Sequence, residues 1–160
     1  MEEIIQLNSG AKLSPHFTLG EMTKSNSHPE VYNIPSHEAI ANLKRLCGWL
    51  EVLRERYNER GGEINTEEPI RINSGYRSPQ LNRKIGGAAT SNHLTGCAAD
   101  IKVAGMEQAL RYATILLDYA DESKQEFDEL LIEKNRYGAI WVHFAVRPKE
   151  NRRKVAFLRA

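Results

Sequence analysis

Between residues 36 and 60 the apolar positions recur at intervals of three and four. Ile40, Leu43, Cys47, Leu50 and Tyr57, with Leu46 and Leu53 alongside, form one stripe. That period predicts a helix opened by Pro35-Ser36, running to about residue 60 and stopped by Gly61-Gly62. Ile70-Arg71-Ile72 then alternates as a short strand leading into a turn at Asn73-Ser74-Gly75. Residues 98–103 (AADIKV) read as a strand, and residues 106–119 as a helix with Ala109, Tyr112, Ala113 and Leu116 on one face. Residues 129–133 (ELLIE) and 140–146 (IWVHFAV) read as two closing strands, joined through Gly138 in an antiparallel hairpin. Residues 13–24 look like an irregular arm with one short helix. Residues 78–96 form a long structured loop with a helical turn near 80–84, and loops of that length in small domains are often functional. The expected class is α+β, a small antiparallel sheet with helices packed on it.

Composition narrows the function more than the fold. At 160 residues, 41% hydrophobic and 27% charged, the chain has the make-up of one soluble globular domain. A net charge of +1 argues against a nucleic-acid partner. The basic run at 147–154 (RPKENRRK) reads as a solvated terminus, with attraction to an anionic polymer as its alternative. No apolar run reaches the ~18 residues of a membrane span. The acidic start, MEEIIQLNSG, does not resemble a secretory signal. The chain is therefore expected to be made in the cytoplasm without a signal peptide, and to be a monomer. Two cysteines are too few for a disulfide framework. Cys47 belongs to the helical stripe, whereas Cys97 lies inside the segment that carries the candidate chemistry.

That segment is Ser91-Asn92-His93-Leu94-Thr95-Gly96-Cys97-Ala98-Ala99-Asp100. Imidazole nitrogen and carboxylate oxygen both suit zinc at about 2.0–2.2 Å, and small neighbours let a metal approach the backbone. By spacing alone, a polar turn with a capping aspartate explains the pair as well. Alternation in IWVHFAV puts Ile140, Val142, Phe144 and Val146 on one face and Trp141, His143 and Ala145 on the other. His143 is a third candidate ligand, and a satisfied core histidine is its plainer reading. His16, His28 and His37 fall among turn and helix-start residues and read as surface positions.

SGYRSPQLNRKIGG, then SNHLTGCAAD, then WVHFAV resemble the zinc D-Ala-D-Ala carboxypeptidase and L-alanyl-D-glutamate endopeptidase family. The likeness is to its compact branch, common among phage and prophage lysis proteins. LSPHFTLGEMTKS resembles that branch's entry segment, so the likeness spans roughly residues 13–147. The resemblance implies the hedgehog/DD-peptidase fold and one zinc ion held by His93, Asp100 and His143. It implies hydrolysis of an amide bond in a peptidoglycan peptide, at D-Ala-D-Ala or L-Ala-D-Glu, after holin-type release to the cell wall. Arg77 would grip a substrate carboxylate or stabilise the oxyanion. Ser91 would bond substrate or cap the turn, and Asn82 would tie the loop. The cleft would be shaped by the long loop, Trp141 and Tyr76.

One departure matters. Relatives often carry an acidic residue three before the last histidine, or a histidine two before it, as the catalytic base; here Ile140 and Trp141 occupy those positions. Glu133 is the nearest carboxylate and the candidate base, against a solvated strand-end reading; Glu129 and Asp128 come next. The competing class is a non-catalytic, zinc-containing module that binds cell wall or a partner, as in the similar hedgehog amino-terminal domain. A purely structural zinc would need a fourth ligand, for which Cys97 is the nearby candidate.

Overall fold

The structure is a computed structural model that describes residues 9–60 and 67–159. A small hairpin comes first, β1 (Lys12–Ser14) with β2 (Phe17–Thr18), followed by α1 (Leu19–Thr23). The expected arm thus contains its short helix and, in addition, a pair of strands. The helix α2 spans His37–Arg60. Ser36 caps it, its hydroxyl accepting from the Ala39 N–H at 3.1 Å. Leu43, Leu46, Cys47, Leu50 and Leu53 are all fully buried, so the predicted stripe is the core face. The stop expected at Gly61-Gly62, like the reading of the first eight residues, lies outside the described residues.

The main sheet has five strands in the order β3-β4-β6-β5-β7. These are β3 (Ile72–Ser74), β4 (Ala98–Lys102), β5 (Glu129–Lys134), β6 (Ile140–Ala145) and β7 (Lys154–Arg159). The first four pair antiparallel, and β7 runs parallel to β5. Helix α4 (Met106–Ser123) outruns the expected segment by one turn. With α2 it covers one face of the sheet. There Ile101, Leu130, Val142 and Phe144 join the core, in which Trp49 packs on Phe144 at 5.3 Å and edge-on against Tyr119 at 4.9 Å. The opposite face carries the alternate residues, Asp100, Glu129, Leu131, Glu133 and His143, which line a cleft of about 600 Å³.

Three differences from the sequence reading bear on that cleft. Asn73-Ser74 is strand rather than turn. The register slips by one between Ile72↔Ile101 and Ser74↔Asp100, a bulge that seats Ser74 opposite Asp100. Tyr76, expected to shape the cleft, is 7% exposed and packs in the core; neither it nor Trp141 lines the cleft. Finally, the basic run is mostly exposed, as expected, but it is not a free terminus. It turns at residues 147–153 and enters the sheet as β7, because β5 otherwise offers an unpaired edge.

Candidate metal centre

The long loop is built as a rigid frame. Ser78 caps α3 (Pro79–Ile85), accepting from the Leu81 N–H at 3.1 Å, and Pro79 starts the helix where its missing N–H costs nothing. Gly86 ends α3 in the left-handed region, at φ 76°. Asn82 is buried and donates to the Ala88 carbonyl at 3.0 Å, tying the loop as expected. Asn33 stitches the loop to the N-terminal arm. Its amide donates to the carbonyls of Thr23 and Tyr76, and its oxygen accepts from the Ser78 N–H at 2.6 Å. Ser91 caps a 3-10 turn (Asn92–Thr95), accepting from the His93 N–H at 3.2 Å, and also lines the cleft.

His93 leaves that turn buried, with Nδ1 2.7 Å from the Gly75 carbonyl. A carbonyl only accepts, so Nδ1 holds the proton and the lone pair is on Nε2. Nε2 points to Asp100 Oδ1 at 3.4 Å. From the far side His143 Nδ1 approaches the same oxygen at 3.0 Å, while its Nε2 faces Glu129 Oε1 at 3.0 Å. Cross-strand pairing of Asp100 with His143 sets this approach. One ligand atom from each of His93, Asp100 and His143 lies within 4.8 Å of the others. Among the described residues Cys97 is not part of this group; its thiol sits 4.0 Å from the Thr95 carbonyl.

The donor set fits zinc. Two imidazoles and a carboxylate converge, each histidine has an acceptor on its outer nitrogen, and three protein ligands is the count of catalytic zinc. The electrostatics show a site that favours positive charge, and His143 would release a proton on binding a metal. Burial raises the Asp100 pKa, but both histidines overcome this and hold the carboxyl well below its ordinary range. Burial works against a charged His143, yet hydrogen bonds to Asp100 and Glu129 raise it to about 9. The hydrogen bond from His143 keeps Glu129 ionised below its usual value.

Arg77 reaches the centre from the loop, donating through Nη2 to Asp100 Oδ2 at 3.3 Å and through Nε to Ser74 Oγ at 3.1 Å. Glu133 lies on the cleft face, paired across the strands with Trp141. Burial and then the Asp100 charge push its pKa up, against weaker pulls from His143, the Trp141 indole and His93. Trp141 Nε1 itself is buried with no partner at hydrogen-bond length, so its pull on Glu133 acts at longer range.

A family model for peptidase M15 matches residues 15–126, more than half of the chain. The chain belongs to the peptidase M15 family. Over 99 residues it is 29% identical to the zinc D-Ala-D-Ala carboxypeptidase of Streptomyces albus G, covering 62% of this chain and 36% of that protein. The chain thus matches little more than a third of that relative's length. The peptidase M15 match includes His93 and Asp100 and ends before His143.

Sequence reasoning left other residues of this M15 cleft without a role. Asn92 stood unassigned inside the motif, and Arg147, Arg152 and Lys154 were read as solvated tail, yet all four line the cleft. The tail's density of arginine was the available signal.

Proposed function

We propose that this chain is a zinc-dependent peptidase that hydrolyses an amide bond in peptidoglycan stem peptides. The observation that carries the proposal is the convergence of His93 Nε2, Asp100 Oδ1 and His143 Nδ1 in a cleft that also holds Arg77 and Glu133. Zinc, when bound there, supplies Lewis acidity that brings the pKa of water towards ~7 and polarises a carbonyl. Glu133 acts as the general base. Burial, and then the Asp100 charge, leave its pKa raised, which suits a group that takes a proton from water and passes it to the leaving amine. Glu129 is less suited, because its Oε1 is engaged by both His143 and Asn92. The Arg77 guanidinium, braced by Ser74 and Asp100, offers donors to a substrate carboxylate or to the developing oxyanion.

The name of the Streptomyces relative supports a D-Ala-D-Ala bond. The resemblance to compact lysis proteins supports L-Ala-D-Glu and a phage-type role at the cell wall after release from the cytoplasm. Digestion of purified peptidoglycan with and without chelator tests the reading, with metal content measured on the same protein. One zinc per chain and chelator-sensitive release of new amino termini are expected, and product masses name the bond. Stoichiometric zinc with no cleavage of any wall type would favour the non-catalytic binding module, which Ile140 and Trp141 before His143 keep in view.

A further inference from the structure

The side of the centre formed by β5, β6 and the C-terminal strap contains a buried hydrogen-bond relay ending on His143. Glu129 Oε1 receives His143 Nε2 at 3.0 Å and the Asn92 amide at 2.7 Å. The same amide nitrogen donates to Asp128 Oδ2 at 2.8 Å. Asp128 is wholly buried, and Arg152 closes on it with three bonds. Nε and the backbone N–H donate to Oδ1 at 3.0 Å, and Nη2 donates to Oδ2 at 2.8 Å. Arg147 Nε donates to Asn92 Oδ1 at 2.9 Å, fixing that amide's orientation. Parallel pairing of Glu129 with Lys154 fastens the strap beside this relay.

We infer that Glu129 is a positioning residue for the third metal ligand, and that Arg152 and Arg147 anchor it through Asp128 and Asn92. The inference rests on the zinc reading above. A carboxylate accepts only, so Glu129 requires a proton on His143 Nε2, and Nδ1, which faces Asp100 at 3.0 Å, is the nitrogen that would give up its proton to a metal. Without it the ring has no partner holding that tautomer, and the other nitrogen can turn inward. A strand-end ion pair would not demand this chain of acceptors. Arg152 is half-exposed, yet it sends its bonds inward to a carboxylate that water does not reach.

Zinc affinity of the full chain, measured by competition with a chromophoric chelator, tests the inference alongside the visible spectrum of the cobalt(II)-substituted protein. Glu129→Ala is expected to weaken zinc about 10- to 100-fold and to alter the cobalt spectrum, with the circular dichroism of the folded chain retained. Glu129→Gln keeps an acceptor for Nε2–H and is expected to recover most of the affinity and the wild-type spectrum. Arg152→Gln should fall between wild type and Glu129→Ala, because Asp128 and Asn92 remain. Wild-type affinity and spectrum in Glu129→Ala would overturn the inference and leave the zinc reading standing. Glu129→Gln as damaging as Glu129→Ala would overturn the orienting role. A wild-type chain that binds no zinc overturns both.

Discussion

His93 rests on backbone, whereas His143 rests on side chains. The Gly75 carbonyl that receives His93 Nδ1 belongs to a segment pinned on both sides. The Tyr76 N–H donates to the Met22 carbonyl at 2.7 Å, and the Arg77 N–H donates to the His93 carbonyl at 3.0 Å. A methyl group at Gly75 would overlap the Met22 backbone. Behind His143 stand Glu129, Asn92, Asp128 and Arg152, none of them contributing a backbone carbonyl to the ring. A backbone hold can be disturbed only by moving the chain, while a side-chain hold can be dismantled one group at a time. The first is fixed by the course of the chain; the second is tunable by substitution. The M15 family match covers the first region and ends at residue 126, so that of the second it includes only Asn92.

The sharpest division falls within β5 itself. Glu133 sits four residues beyond Glu129 on the same cleft face and has no holding role in this comparison. Glu133→Gln should lower kcat for stem-peptide hydrolysis by about 10²- to 10⁴-fold while zinc content stays at wild-type level. Loss of zinc together with activity would put Glu133 among the holding residues. On the backbone side, Gly75→Ala should destabilise the chain by about 1–3 kcal/mol, read from urea unfolding, because Met22 must shift to admit the methyl group. Unchanged stability would mean that this hold is softer than the contacts indicate.

The side-chain hold has a pH signature. Burial raises the Asp128 pKa, but Arg152, the Asn92 amide, the Arg152 N–H and Arg147 overcome that and set it at about 2, below its ordinary 3.8. A lowered folded-state pKa stabilises above the unfolded value and loses that stability as pH falls through the folded one. Asp128 should therefore contribute fully above about pH 4 and progressively less towards pH 2. Urea unfolding across that range should show the slope in wild type and a shallower one in Asp128→Asn. Equal slopes would remove Asp128 from the acid response. The smallest effect is expected at the exposed pair of Arg153 and Asp121, 2.8 Å apart. Asp121→Asn should change stability by less than about 0.5 kcal/mol, showing that tail arginines matter where they end in a buried carboxylate.

Much of the architecture was legible because its signals repeat over a few residues. The three-four stripe of α2 and the alternation of β6 follow from backbone geometry alone, and so does the separation of Glu133 from the core-facing Leu130 and Ile132. The spacing of His93 and Asp100 around Gly96 was equally readable, but only resemblance joined His143 to them. Neither the bulge at Asn73 nor the burial of Tyr76 was legible, since both depend on what β4 and Met22 present.

By itself, then, the sequence determined the α+β class, the principal elements and the residue types able to bind a metal. Tertiary structure alone decided which nitrogen of each histidine turns inward, and what holds it there. It also decided that residues 147–153 would form a strap leading into a strand. The physical reason is range. Helical and strand periods are set by neighbours within a few residues, whereas Arg152 and Asp128 are 24 residues apart. Their bond becomes strong only when folding takes the carboxylate out of water, and no local pattern records that desolvation.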